Sequence, residues 1–225
     1  MIRGVLNFLS DINTYFGIHN HTHYSNLRLL DSINRPKDLI QKAKELGLSG
    51  IAITDHEALC GHMEINKIAK EMQSTDPNFT IALGNEIYLT DTRDSGQKYY
   101  HFLLIAKDEI GHRILRELSS IAWYHMYSDR GMERVPLLKS ELAKTINKIG
   151  KGHLIATSAC AGGELSVNAL AYALCRQNGD DQDAMGYYNN IINFLEFCKD
   201  IFADDFYIEC APSNKKDQIL INATI

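Results

Sequence analysis

Three histidines fall within five residues near the N-terminus of the chain: His19, His21 and His23. In an extended segment the side chains at i and i+2 lie on the same face, so these imidazoles are predicted to point one way. Neutral imidazole is the commonest protein ligand for transition metals. A surface or core cluster without metal is the ordinary explanation of an isolated His-x-His. Candidate ligands further along the chain favour a metal site here.

These further candidates follow predicted strands: Asp31, Asp55, His56, Glu86, His101 and Cys160. Each has a structural explanation when it is taken alone. Asp55 could cap a helix, Glu86 or His101 could be solvated, and Cys160 could be a small buried side chain. Imidazole, carboxylate and thiolate together are a ligand set for zinc, manganese or iron, and not for calcium. Their shared position after successive strands therefore predicts a divalent transition-metal site.

The bulk properties narrow the class of protein. A length of 225 residues, with 45% hydrophobic and 23% charged residues, suits one large soluble α/β domain better than two small ones. The net charge of −5, without a basic stripe, argues against a surface that holds nucleic acid by itself. Five scattered cysteines without a C-x-x-C pair predict reduced thiols and a cytoplasmic location. No apolar run approaches a membrane span, and the N-terminus does not resemble a signal peptide.

Hydrophobic periodicity predicts alternating strands and helices. Strands are predicted from Ile18 and at 50–54, 80–84, 101–106, 153–157 and 206–210, and helices at 36–46, 63–72, 110–121, 136–149, 164–176, 183–202 and 217–222. Residues 1–16 form an amphipathic extension, and 127–135 and 177–183 are predicted loops. The alternation predicts a parallel sheet or barrel with the polar residues at the carboxyl ends of its strands.

Six short motifs occur in a fixed order along the chain. They are H-N-H-T-x-Y-S at 19–25, L-L-D at 29–31, A-I-T-D-H at 52–56, G-N-E-I-Y at 84–88, Y-H-F-L-L-I-A-K at 100–107 and S-A-C-x-G-G-E at 158–164. With this order and spacing, the chain resembles the PHP (polymerase and histidinol phosphatase) domain. It is most similar to the PHP domain that opens the alpha subunit of bacterial DNA polymerase III. The resemblance runs from about residue 17 to residue 224, and the joint spacing is specific.

The resemblance implies an α/β fold, a distorted (β/α)7 TIM-like barrel that holds up to three zinc, manganese or iron ions. By position, one metal would be held by His19, His21 and Glu86, a second by Asp31 and His56, and a third by Glu86, His101 and Cys160. His23 falls where the family varies and is left out. The family's last motif, Asp-x-His, follows a further helix and strand, whereas this sequence ends at Ile225. We therefore expect a single PHP domain over 1–225, a barrel incomplete at its C-terminal end, and fewer than three metals.

The resemblance also implies metal-dependent hydrolysis of phosphoesters, in a polymerase the 3′→5′ removal of a nucleotide from a DNA 3′ end. Clustered metals activate water and neutralise charge on the phosphate, so no separate catalytic side chain is expected. The partners would be the rest of a polymerase chain or replisome subunits, and no membrane. Since the palm, fingers and thumb are missing from the sequence, we expect no polymerase activity.

Two alternatives remain open. A PHP domain can brace a polymerase or bind a partner without catalysis, in which case it needs no metal. It can also be a free-standing phosphatase for small substrates. The L-L-D segment ending at Asp31 and the S-A-C-x-G-G-E segment around Cys160 count against that second alternative.

Overall fold

A computed structural model describes residues 15–27, 32–94, 96–129 and 132–225. The chain divides into two compact units. The first comprises Met1–Asn85 with Ser128–Glu133, and the second comprises Glu86–Tyr127 with Arg134–Ile225. One long strand contains the boundary, since it holds both Asn85 and Glu86.

The first unit is built on three parallel strands. They are β1 (Phe16–Gly17), β2 (Gly50–Ile53) and the first part of β3 (Thr80–Thr90), and β2 pairs with both of its neighbours. Helices α1 (Pro36–Glu45) and α2 (His62–Thr75) pack with this sheet around a core that includes Ile40, Ile51, Ile53, Ile65 and Phe79. All four residues of β2 are buried, which explains its continuous apolar run.

Gly50 is required where β1, β2 and β3 come together. A methyl group at this position would overlap the Phe16 ring and the carbonyl oxygen of Thr80. The strands can therefore pair closely at the start of β2, and the other end of β2 leads directly to Asp55 and His56.

Two short strands, β5 (Tyr127–Asp129) and β6 (Met132–Arg134), pair with each other, and most of their residues belong to the first unit. The second unit contains the strands β4 (Tyr100–Ala106), β7 (Pro136–Leu138), β8 (Leu154–Thr157) and β9 (Phe206–Tyr207). Its helices are α3 (Glu109–Tyr124), α4 (Lys139–Ile149), α5 (Glu164–Asn178), α6 (Asp181–Phe202) and α7 (Lys216–Thr224). The later part of β3 pairs with β7 in parallel, β4 with β8 antiparallel, and β8 with β9 in parallel. Phe102 anchors the core against Phe194, Phe202 and Phe206.

The predicted mixed α/β fold is confirmed. The expectation of parallel strands throughout is wrong at β4 and β8, which are antiparallel. More than one helix lies between these two strands, so the single-helix crossover that imposes parallel pairing does not apply. Among the described helices, none is both long and apolar enough to cross a membrane.

Five local predictions are wrong. The predicted strand at 80–84 continues to Thr90, because its later residues pair with β7, so Glu86 lies inside the strand and not after it. Leu46 follows the last residue of α1, is exposed and does not join the apolar stripe of the helix. The loop predicted at 127–135 contains β5 and β6, and Pro136 begins β7 instead of a helix. The loop predicted at 177–183 is shortened by α5 and α6. The amphipathic pattern of residues 1–14 lies outside the described residues.

Candidate metal centre

Asn20 determines how the N-terminal histidines are presented. Its backbone N–H donates to Thr54 Oγ1 at 3.0 Å, its side-chain amide donates to the Ala52 carbonyl at 3.0 Å, and its own carbonyl accepts from Thr54 N at 2.9 Å. These bonds hold residue 20 against the end of β2. With the Asn20 side chain committed to β2, alternation along the chain directs His19 and His21 away from it. Their ring centroids lie 5.1 Å apart, and a ligand nitrogen of one lies within 4.8 Å of a ligand nitrogen of the other.

His56 joins these two imidazoles from the end of β2. Its ring stacks on that of His21, with centroids 4.4 Å apart and planes inclined by 23°. His56 is buried, whereas His19 and His21 are half-buried. We call these three residues the histidine cluster. All of them belong to the first unit.

His23 does not follow its neighbours, so the initial expectation that three imidazoles share a face is wrong. A short 3-10 helix begins at His23 (His23–Leu27) and ends the extended alternation there. The His23 ring packs on Tyr24 with centroids 4.4 Å apart, and its Nδ1 lies 3.3 Å from the Asn34 carbonyl oxygen. That His23 is not a metal ligand stays a prediction, and this geometry supports it. Asp31, the predicted acidic ligand, lies outside the described residues.

A buried polar network supports the histidine cluster, and sequence reasoning did not foresee it. Asp55, only 1% exposed, accepts hydrogen bonds from Thr22 N at 2.6 Å, Thr22 Oγ1 at 2.8 Å and Ser25 Oγ at 2.8 Å. Ser25 Oγ also lies 3.1 Å from His56 N and 3.2 Å from His21 Nδ1. Asp55 is therefore no helix cap, since α2 begins only at His62. The available signal was the hydroxyl residues at 22 and 25 of the first motif.

The side chain of Asn85 stabilises the turn that follows β2 by hydrogen bonds to its backbone. Its side-chain amide donates to the carbonyl oxygens of Asp55 at 3.1 Å and Ala58 at 3.4 Å. Within this turn Glu57 has a φ of 48°, a left-handed conformation that is strained for a residue with a side chain. The buried amide of Asn85 thus holds a strained turn that begins at His56.

A second set of predicted ligands meets within the second unit: Glu86, His101 and Cys160. Glu86 projects from β3 and is fully buried, His101 lies near the start of β4, and Cys160 follows β8. His101 Nδ1 is 2.7 Å from Glu86 Oε1 and 3.4 Å from Cys160 Sγ, and Cys160 Sγ is 3.9 Å from Glu86 Oε1. We call these residues the thiol–carboxylate cluster.

The charge of the His101 ring depends on its two neighbours in this cluster. Burial by itself lowers the pKa of His101, but the hydrogen bonds and charges of Cys160 and Glu86 outweigh burial and raise that pKa to about 10. The imidazole of His101 is therefore readily protonated beside the Glu86 carboxylate. Positive charge is stabilised at the point where nitrogen, oxygen and sulfur donors converge. A divalent cation suits the same place, since this donor set is the one that zinc and iron prefer.

The backbone after β8 positions the thiol. Gly162 N donates to Cys160 Sγ at 3.4 Å, and its carbonyl accepts from His101 N at 3.1 Å. Gly163 N donates to the Cys160 carbonyl at 2.9 Å, and a methyl group at Gly163 would overlap the carbonyl oxygen of Ser158. The two glycines of the S-A-C-x-G-G-E motif thus permit a tight turn that brings Cys160 to His101.

Six of the seven predicted ligands therefore lie in two clusters, three in each unit, and the seventh is Asp31. Each cluster fits a divalent transition metal by the chemistry of its donors: imidazole nitrogens in one, and nitrogen, oxygen and sulfur in the other. The assignment of particular ligands to particular metals stays a prediction.

Comparisons with known proteins show the family of the chain. The sequence matches the PHP domain over residues 17–213, and the chain belongs to the PHP domain family. It is 38% identical over 218 residues to the probable DNA polymerase YorL of Bacillus subtilis, covering 92% of this chain and 17% of that protein. It is 33% identical over 212 residues to the DNA polymerase III subunit alpha of Borreliella burgdorferi, covering 91% of this chain and 16% of that protein.

The chain thus spans less than a fifth of the length of these two relatives. Among solved structures, an amidohydrolase from Chromobacterium violaceum is similar, with a TM-score of 0.39 and 12% identity over 87% of this chain and 85% of that chain. A likeness this distant supports no inference about activity.

Proposed function

We propose that this chain is the PHP domain of a DNA polymerase III alpha-like polymerase. We further propose that it hydrolyses phosphoesters with divalent transition metals, as a 3′→5′ exonuclease. The observation that carries the proposal is the thiol–carboxylate cluster, in which the His101 ring lies against both Glu86 and Cys160. A carboxylate, an imidazole and a thiol that converge in this way form a donor set found in metal sites.

The protein's own groups would divide the work as follows. When bound, the metals would supply an activated water and would neutralise charge on the phosphate and the leaving oxygen. The imidazoles of His19, His21 and His56 would hold metal from the first unit. In the second unit, burial of Glu86 keeps water from its carboxylate, and the turn at Gly162 holds the thiol of Cys160 in place.

The relatives support the polymerase context, since YorL and the Borreliella protein are named as a polymerase and a polymerase subunit. On this proposal the partners are the rest of a polymerase chain or other replisome subunits, the substrate is a DNA 3′ end, and the location is the cytoplasm. A non-catalytic brace within a polymerase is the rival, and metal content separates the two, because a brace needs none.

The test is to purify the chain without chelator, measure its zinc, manganese and iron by elemental analysis, and assay nucleotide release from a primer–template with added Mn²⁺. We expect bound metal and release that falls at least about 10-fold in Glu86→Gln, since the loss of ligand support typically costs that much. Glu196→Gln, an exposed carboxylate on α6, is the matched control and should behave as wild type. Absence of transition metal together with absence of release would identify a structural module instead.

A further inference from the structure

We propose that Ser25 is a positioning residue that fixes the tautomer of His21, with Asp55 orienting the Ser25 hydroxyl. This inference rests on the proposed function, because it concerns how one imidazole of the histidine cluster is prepared for metal. Ser25 was not among the candidate ligands, Asp55 was considered as one, and both side chains are fully or almost fully buried.

The first step concerns Asp55. Its Oδ1 accepts from Thr22 N and from Ser25 Oγ, and its Oδ2 accepts from Thr22 Oγ1. An ionised carboxylate has acceptors only, so every neighbour within hydrogen-bond distance must be a donor. Thr22 provides two donors and Ser25 provides the third. The single hydroxyl proton of Ser25 is therefore committed to Asp55.

The second step follows from that commitment. A serine hydroxyl has one proton and two lone pairs. The Ser25 proton goes to Asp55 at 2.8 Å, and one lone pair accepts from the backbone N–H of His56 at 3.1 Å. The remaining contact, His21 Nδ1 at 3.2 Å, can then be a hydrogen bond only if His21 donates. The geometry points to a His21 that carries its proton on Nδ1 and its lone pair on Nε2.

The third step concerns metal binding. A ligating histidine usually donates its other ring N–H to an acceptor, which fixes the ring and makes the ligating nitrogen more basic. Here a buried carboxylate acts through a serine hydroxyl, and the same hydroxyl also holds the backbone of His56. One side chain thus positions two neighbouring imidazoles, His21 directly and His56 through its main chain.

The first test needs no metal. Protein labelled with ¹⁵N in its histidines, recorded metal-free at neutral pH or above by long-range ¹H–¹⁵N correlation, shows which ring nitrogen carries the proton. We expect His21, assigned by comparison with His21→Gln, in the Nδ1–H form. The Nε2–H form in the wild-type protein would overturn the proposal.

The second test measures the affinity for Zn²⁺ by competition with a chromophoric chelator. Ser25→Ala should weaken binding about 10- to 100-fold and release the tautomer preference of His21. Ser32→Ala is the matched control, because the Ser32 hydroxyl donates to the His21 carbonyl at 3.0 Å and does not touch the ring. It should keep both the tautomer and the affinity. Equal affinities in the Ser25 variant and the wild type would also overturn the proposal.

The outcomes of these tests are separable from those of the proposed function. A protein that releases no nucleotide but shows the Nδ1–H tautomer and a Ser25-dependent Zn²⁺ affinity would retain the positioning role and lose the exonuclease activity. A protein that releases nucleotide with His21 in the Nε2–H form would retain the exonuclease activity and lose the positioning role.

Discussion

The Sγ atom of Cys160 lies 3.4 Å from Nδ1 of His101, and the same ring nitrogen lies 2.7 Å from Oε1 of Glu86. Three elements, β3, β4 and the turn after β8, meet at these atoms. The remaining four cysteines lie elsewhere, so the thiol of Cys160 can be tested separately.

Replacing Cys160 by serine should weaken Zn²⁺ binding in the second unit by at least about 10-fold, because serine is a poor ligand at neutral pH and a direct ligand matters at least as much as its hydrogen-bond partners. Titration with a chromophoric chelator measures the effect. Cys175→Ser, a half-buried position on α5, is the control. The same Zn²⁺ affinity in both variants would exclude Cys160 from the site.

Replacing His19 and His21 together by alanine should remove metal from the histidine cluster, whereas His23→Ala should not. The reason is the 3-10 helix that turns His23 toward Tyr24 and Asn34. Metal equivalents per chain after reconstitution with Zn²⁺ or Mn²⁺ provide the measurement. A comparable metal loss in the His23 variant would show that the ligand register is wrong.

Much of this arrangement could be read from local sequence. The apolar run of β2 and the helical spacing of Ile40 and Ala43 correctly predict their elements. Local pattern could not show that β3 extends past Glu86, because the later residues are held by pairing with β7. It could not assign a role to Ser25 either, since a serine 30 residues before Asp55 becomes meaningful only when the chain brings the two together. Tertiary contacts decided both.

A buried ion pair offers a test of stability in the second unit. Lys139 Nζ lies 2.7 Å from Glu164 Oε1, and their side chains are only 15% and 11% exposed. Burial raises the pKa of Glu164 and the lysine opposes this rise, while hydrogen bonds and charge from Glu164 and Asp91 raise the pKa of Lys139 against the lowering effect of burial. Each side chain thus favours the charged form of the other, against the effect of burial.

Lys139→Met should lower the free energy of unfolding by about 3 kcal/mol, because it leaves the Glu164 carboxylate buried without its cation. The double variant Lys139→Met with Glu164→Gln should be more stable than Lys139→Met alone. Urea unfolding of the two single variants and the double variant closes the cycle. Purely additive losses would mean that the two side chains do not interact.

The N-terminus of α3 should make stability depend on acid pH. Hydrogen bonds from Gly111 N at 2.8 Å and from His153 at 2.7 Å hold the pKa of Asp108 below its ordinary value of 3.8. A lowered pKa contributes stability that is complete above pH 3.8 and is lost as the pH falls through the folded-state value. Asn caps helices well, so Asp108→Asn removes the charge and keeps a capping side chain.

The free energy of unfolding of Asp108→Asn should therefore fall below that of the wild type at neutral pH, and the two should converge as the pH drops below the Asp108 pKa. Urea unfolding at a series of pH values measures this difference. Asp94→Asn, at an exposed loop residue, is the control and should run parallel to the wild type. A difference that persists unchanged into strong acid would exclude the carboxylate as its cause.

The overlap that any side chain at Gly163 would make with the Ser158 carbonyl gives a practical criterion for sequencing surveys. Consider a related chain that has the His-x-His pair, the buried glutamate and the cysteine, but alanine or a larger residue at the position of Gly163. Its backbone cannot follow the same path in the turn after β8. Its thiol would be displaced from the imidazole, and such a gene should not be counted among those encoding this centre. The absence of a side chain at this glycine, rather than the presence of a ligand, then distinguishes sequences that can form the centre from those that cannot.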